Sequence, residues 1–481
     1  MKQYQTIIQV IGALLAVLGA TMLLPALIDF QDANPEWRVF ALSAAVTAGT
    51  GLLLFLSTRT VERSTLRLKQ AFLLTAAVWT VIPVFGAIPF LGLGIGYADA
   101  FFESASGFTT TGGTVLVGLD ELPRGVLLWR AVLQWIGGVG IIVFAMVLLP
   151  FLGVGGMQLF RAESSDRSEK VLARSSDIVA WIIAIYCILT GLCTFAYAGT
   201  AMTFFDALAH AMTTVATGGF STHDASFGHF QSAAVEWIAI VFMIIGALPM
   251  VVLIAAARGE VRRFVREPQV LWFLTFLLAT SFLTGVWLSL TRGIEFAEAF
   301  RLVAFNVVSV VTTTGYATVD YTLWGPFAVI LFFVLTFVGG CTGSTSGGIK
   351  VYRFIILVQV IKRQFRMLAN PSRLETLKYG GTRIPDDVPP SVLAFLTLYV
   401  ASIAVVALIL ALLGLDFLTA LSSAATAISN VGPGLGEIVG PAGNFSTLPD
   451  TAKVVMGLAM ILGRLELFTI LILLDAGFWR W

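Results

Sequence analysis

The sequence predicts an all-α polytopic membrane protein, with four M1-pore-M2 repeats around a central pore preceded by two extra transmembrane helices. Three observations carry that expectation. With 58% hydrophobic residues, 12% charged residues and 37 Phe in 481, the chain has too little polar surface to coat one aqueous core. Apolar stretches of spanning length fall at 7–28, 40–57, 70–92, 126–152, 178–198, 234–257, 270–290, 391–414 and 452–476. The shorter pair 324–339 and 351–361 reads as one helix broken in the middle. Finally, Thr109-Thr110-Thr111-Gly112, Ala216-Thr217-Gly218-Gly219, Thr312-Thr313-Thr314-Gly315-Tyr316 and Ser429-Asn430-Val431-Gly432 each stand just before a long hydrophobic helix.

The first element, 7–28, is longer than a signal-peptide core, lacks a clear cleavage site and is followed by further spans, so it reads as a membrane helix. With 40–57 it forms an N-terminal unit, 1–68. Glycine-to-glycine steps of 106, 97 and 117 residues leave room for two helices and a re-entrant hairpin in each following unit, giving repeats over 69–160, 161–260, 261–370 and 371–481.

Each hairpin should carry a short helix, over 99–108, 206–215, 300–311 and 416–428, whose carboxyl end points at the Thr/Gly stretch and so favours a cation. Glycine supplies dihedrals that a Cβ would forbid. Backbone at membrane depth is tolerated only where it is buried or lines a watery path, so the four stretches predict a ring of carbonyl oxygens replacing the shell of a dehydrated cation. The expected ring residues are Thr110, Thr111 and Gly112; Ala216, Thr217 and Gly218; Thr313, Thr314 and Gly315; and Asn430, Val431 and Gly432. One glycine per repeat implies a short filter of modest selectivity. In the fourth repeat Val431 and Pro433 depart from the pattern.

Charge sets orientation. The connections 58–69, 161–177, 258–268 and 350–390, with Lys2 and Arg480, hold 22 of the 29 Lys and Arg residues, which by the positive-inside rule places them and both termini in the cytoplasm and brings the hairpins in from outside. Asp99, Glu103, Asp206, Asp224, Glu295, Glu298, Asp320, Asp416 and Glu437 lie near the hairpins, where a negative vestibule would concentrate cations. Asp206 and Asp416 also suit helix capping. Net charge of +1 points to no nucleic-acid or acidic partner.

The stretch Gly339-Gly340-Cys341-Thr342-Gly343-Ser344-Thr345-Ser346-Gly347-Gly348, ahead of Lys350, has five glycines in ten positions and cannot form a lipid-facing helix, so it must line the pathway. Ile349 between Gly348 and Lys350 breaks the spacing of a phosphate-binding loop. Arg464 stands twelve residues into the last apolar run, about 18 Å along a continuous helix. A mid-membrane arginine points to function, the competing reading being a structural partner such as Glu466. His210, His223 and His229 fit no familiar metal spacing, and three cysteines make no disulfide framework. No catalytic nucleophile motif supports an enzyme.

Over its whole length the chain resembles the Trk/Ktr/HKT superfamily of potassium transporters. The carriers of that resemblance are Ser106–Gly112, Thr217–Ser221, Thr312–Tyr316 and Gly340–Lys350, and the two extra N-terminal spans favour the Trk branch. The resemblance implies potassium as the transported ion, with no organic cofactor in this chain, in a bacterial inner membrane. It implies that Gly339–Gly348 with Lys350 forms a loop plugging the pore beneath the filter, with Arg464 as an electrostatic barrier beside it. It further implies a homodimer above a ring of TrkA-like subunits that bind NAD or adenine nucleotides. The longest cytoplasmic stretch, 362–390, is too short for a nucleotide-binding domain of its own. Two mechanisms remain open, a gated channel-like pore and a carrier coupled to protons or sodium. Four repeats pointing the same way favour the pore.

Overall fold

A computed structural model describes residues 2–58, 68–145, 168–200, 202–371 and 376–479. The end of the expected span 126–152, most of the connection 58–69, the first part of the connection 161–177, and Arg373 and Arg480 lie outside them.

The described chain is helical apart from short connections and one hairpin, Lys378–Tyr379 paired antiparallel with Thr382–Arg383. Seven helices among the described residues are long and apolar enough to cross a membrane. The N-terminal helix Lys2–Thr21 packs on Trp37–Ser57 at bare backbone, since a Cβ on Gly12 or Gly51 would fall 2.5–2.7 Å from main-chain atoms of the other helix. Buried Asp29 joins this pair to the first repeat by accepting from the N–H of Gly125, in the first turn of helix Arg124–Val143, at 2.7 Å.

Four short helices lie between the paired spans: Tyr97–Phe108, Phe204–Val215, Phe296–Val311 and Phe417–Ser429. Their carboxyl ends fall within a residue of the places the sequence predicts. Asp416 caps the fourth, accepting from the N–H groups of Leu418 and Thr419 at 3.1 and 3.2 Å. Thr419, through side chain and backbone, holds the Asp416 carboxyl below the usual carboxylate range. In the second helix Thr203 is the cap, and Asp206 sits in the first turn.

Two spans expected to be continuous are broken. The run 234–257 divides into Ala233–Gly246 and Met250–Ala257, bent by 101°, and the run 452–476 divides after Arg464, bent by 104°. Pro249 explains the first break, because it offers no N–H and clashes with a preceding helical turn. In the second, Glu466 and Leu467 take φ of +58° and +53°, a left-handed step that ends a helix of L-residues. The third repeat breaks as expected, between Pro326–Leu335 and Val351–Ala369.

The second helices of repeats one, two and four also press against the hairpin helices. A Cβ on Gly137 or Gly463 would overlap the carbonyl oxygen of Phe108 or Ile428, and one on Gly246 would come 2.9 Å from that of Val215. These three carbonyls occupy the same place in their repeats.

Candidate functional site: a four-segment ring and the loop beneath it

Each hairpin helix ends in one and the same motif. Thr110, Thr217, Thr313 and Asn430 take φ of +51°, +48°, +58° and +56°. The next residue's N–H reaches back five residues, from Thr111 to Ser106, Gly218 to Thr213, Thr314 to Ser309 and Val431 to Thr426, at 2.8, 2.8, 2.8 and 3.2 Å. The left-handed residue itself donates three residues back in every case. This is a Schellman end, normally closed by glycine. A β-branched threonine there costs about 1–3 kcal/mol, so three copies mark a geometry held for another purpose.

Two residues after each left-handed residue comes a glycine of positive φ: Gly112 at +89°, Gly219 at +84°, Gly315 at +85° and Gly432 at +106°. The second segment therefore aligns as Thr217-Gly218-Gly219. Ala216, with αR dihedrals at the helix cap, drops out of the expected ring set and Gly219 enters it. A Cβ on Gly112 would overlap the carbonyl oxygen of Gly218, one on Gly219 that of Thr314, and one on Gly315 that of Val431; one on Gly432 would come 2.9 Å from that of Thr111. Segment one thus abuts two, two abuts three, three abuts four and four abuts one, which closes a ring of main chain.

Thr110, Thr111, Thr217, Thr313, Thr314, Asn430 and Val431 are all buried, yet their carbonyl oxygens accept no hydrogen bond among the described residues. More than nine in ten buried carbonyls in folded proteins are paired, so a cluster of orphans on one ring calls for a ligand. Gly218 is the exception, its carbonyl accepting from Gln134 Nε2 at 2.6 Å. Oxygen dipoles, reinforced by four helix carboxyl ends, suit a cation and repel an anion.

The glycine-rich loop lies against this ring. Thr345 Oγ1 meets Thr217 Oγ1 at 3.1 Å, Gly347 N–H donates to Thr313 Oγ1 at 2.6 Å, and Gly348 N–H donates to the Ser429 carbonyl at 2.8 Å. It also seats in the break of repeat two, where Cys341 N–H donates to Ala247 and Met250 N–H to Gly343, each at 2.9 Å. Thr342 N–H donates to Gln269 at 2.8 Å, Ser344 Oγ to the Cys341 carbonyl at 2.6 Å, Ser346 Oγ accepts from Gly340 N–H at 2.8 Å, and Lys350 Nζ donates to the Ser346 carbonyl. Gly339 packs so closely on Gly347 that a Cβ would overlap its carbonyl.

Arg464 is buried at the last break. It lines a cavity of about 20 Å³ with Ser344, Gly347, Lys350, Tyr399 and Glu466, and its guanidinium nitrogens have no hydrogen-bond partner among the described residues. The structural partner weighed for it is engaged elsewhere, since Glu466 pairs with Arg353.

The expected acidic vestibule is largely structural. Glu103 is buried, bonded to Arg130 at 2.7 Å and to Thr114 at 3.0 Å, while Arg130 also donates to the Ser221 carbonyl and so ties repeat one to repeat two. Asp99 pairs with Lys453 at 2.5 Å, and Asp224 and Asp320 accept from nearby backbone N–H groups. Glu295, Glu298 and Glu437 remain exposed. Sequence spacing could not reveal the ion pairs Glu103–Arg130 and Asp99–Lys453, whose members stand 27 or more residues apart.

Repeated pore-type hairpins joined into one ring define a polytopic membrane transporter rather than an enzyme. The comparisons with known proteins specify it further. A family model described as TrkH, cation transport protein, matches residues 37–477, and the chain belongs to that family. It is 44% identical over 484 residues to the Trk system potassium uptake protein TrkI of Halomonas elongata, covering 100% of this chain and 98% of that one. It is 39% identical to the Trk system potassium uptake protein TrkH of Vibrio parahaemolyticus, covering 99% and 100%. The crystal structure of the potassium transporter TrkH from Vibrio parahaemolyticus superposes with a TM-score of 0.91 at 36% identity, over 99% of this chain and 100% of that one.

Proposed function

We propose that this chain is the membrane subunit of a potassium-uptake system, conducting K+ through the ring as a channel-like filter and closing beneath it with the loop Gly339–Gly348. The observation that carries the reading is the set of buried carbonyl oxygens left without donors around the ring. The full-length relatives named as potassium uptake proteins support the choice of ion. Thr110, Thr111, Gly112, Thr217, Gly218, Gly219, Thr313, Thr314, Gly315, Asn430, Val431 and Gly432 form the filter. Repeats over 69–160, 161–260, 261–370 and 371–481, after the extra helices of 1–68, surround the path.

Closure follows from the contacts below the ring. The loop occupies the hydroxyls of Thr217 and Thr313 on the side where the hairpin helices end, and Arg464 adds a positive charge in the cavity it shares with loop residues Ser344 and Gly347. Opening requires the loop to withdraw. We place the protein in a bacterial inner membrane with both termini cytoplasmic, as a homodimer governed by a TrkA-like subunit that binds NAD or an adenine nucleotide. The relatives' designation as parts of a Trk system supports a separate partner.

Reconstitution of the purified chain into liposomes with 86Rb+ tests the conducting role. Downhill Rb+ uptake that external K+ competes with more strongly than Na+ is expected; flux that demands a proton or sodium gradient would replace the pore by a coupled carrier.

A further inference from the structure

Three residues from two repeats meet beside the ring. Asp120 lies in the short helix Leu119–Glu121 of the first return loop, and His223 and His229 lie in the second return loop. The Asp120 carboxylate is hydrogen-bonded to His223 Nδ1 and stands 3.8 Å from His229 Nδ1, and the two imidazoles stack with centroids 3.5 Å apart. One ligand atom from each residue falls within 4.8 Å of the other two.

We propose that Asp120, His223 and His229 form a site for a divalent transition-metal ion, Zn2+ being the simplest occupant, that clasps the return loops of repeats one and two. Two imidazole nitrogens and a carboxylate are a donor set that suits such ions, whose bonds of about 2.0–2.2 Å bring ligand atoms to roughly the spacing seen here after small rotations. His229 and Asp120 are half-exposed, at 45% and 44%, and free to make them.

The surroundings supply what a metal-binding histidine needs behind it. With Nδ1 turned to the metal, His223 presents Nε2, buried and without a hydrogen-bond partner among the described residues, 3.6 Å from Asp206 Oδ1. Asp206 is itself fixed by Thr203 at 2.6 Å and Thr222 at 2.7 Å. A small turn of the ring that closes the gap to Asp206 would give the carboxylate-histidine-metal arrangement that sets the tautomer and orients the ring. The second oxygen of Asp120 accepts from Asp224 N–H at 3.2 Å, while Asp224 holds the N–H groups of Gly118 and Leu119, so the two loops are already braced in register. A hydrated vertex remains for water, as at an exposed three-ligand site.

His223 follows Gly219 by four residues and Asp120 follows Gly112 by eight, so the bound ion stands just beyond the ring on the hairpin side. Resting on the conducting role proposed above, a fixed double charge at that mouth lowers the local concentration of monovalent cations and slows their entry.

The test uses the full chain, purified without a histidine tag in detergent, with Zn2+ titrated by calorimetry and then added outside liposomes loaded for 86Rb+ uptake. One Zn2+ per chain is expected, weakened at least tenfold by His229→Gln and by Asp120→Asn, with uptake by the unaltered chain falling at least threefold at saturation. Melting temperature shows which variants are folded, and half-exposed His229 provides the conservative case. Equal Zn2+ affinity in the unaltered chain and folded H229Q overturns the site. Site-dependent binding in a chain that passes no Rb+ keeps the site and overturns the conducting role instead. Binding with unchanged uptake overturns the effect on entry.

Discussion

The ring and the loop beneath it are built on opposite plans. The ring repeats one backbone device four times: a left-handed residue, a back-donated N–H, and a glycine against the neighbouring segment's carbonyl. No segment can move without displacing the next. The loop occurs once, and it is held to the ring by hydroxyls and a few N–H groups, each worth about 0.5–1.5 kcal/mol net. On the function proposed above, these two plans amount to a division of labour, with selectivity in the part that is over-determined and gating in the part that can let go.

The largest effect should come from damage to the ring. Gly219→Ala puts a Cβ at φ +84° into the Thr314 carbonyl, which costs more than about 3 kcal/mol unless the backbone shifts. Rubidium-over-sodium preference should collapse in flux assays. Gly218→Ala should do less, because its Cβ meets the Gln134 side chain, which can turn away. The reverse ranking would break the register assigned to repeat two.

Removing the charge below the ring comes next. Arg464→Ala should raise Rb+ flux about tenfold with Rb+/Na+ preference weakened less than in the glycine variant, since a unit charge a few ångströms from the path is worth up to several kcal/mol at an effective dielectric near 20. Lower melting temperature with unchanged flux per folded molecule would assign Arg464 a packing role.

Smaller still is the untying of one loop contact. Thr345→Val removes hydroxyl bonds to Thr217, Gly246 and Val215, about 1 kcal/mol of closed-state stability, and should raise flux about fivefold. Thr110→Val should change flux less than about twofold, because the Thr110 hydroxyl, unlike those of Thr217 and Thr313, has no partner among the described residues. Parity between these two variants would mean that the loop contacts carry no closing energy.

The places where the sequence was and was not readable follow the same contrast. Hydropathy located the spans, and Thr/Gly pairs located the ends of the hairpin helices, because spanning length and the need for φ above zero leave direct marks. In repeat two, Gly218 and Gly219 are adjacent, and only the dihedral tells which is the ring glycine. The break at Gly246–Met250 had a signal in Pro249, while the one after Arg464 has none in hydropathy, since Leu465 and Leu467 continue the apolar run. Glu103 looked like a vestibule charge because its partner Arg130 is brought to it only by the fold. Asp120 and His223 stand 103 residues apart, beyond any motif.

The division of labour is tested most directly by single-channel recording of the Thr345→Val chain beside the unaltered one, in planar bilayers with K+ on one side and Na+ on the other. Unitary currents are expected in both, with a higher open probability in the variant and the same reversal potential. A reversal potential that shifts toward sodium while open probability stays constant would contradict the division of labour, because the loop would then be setting selectivity and not access.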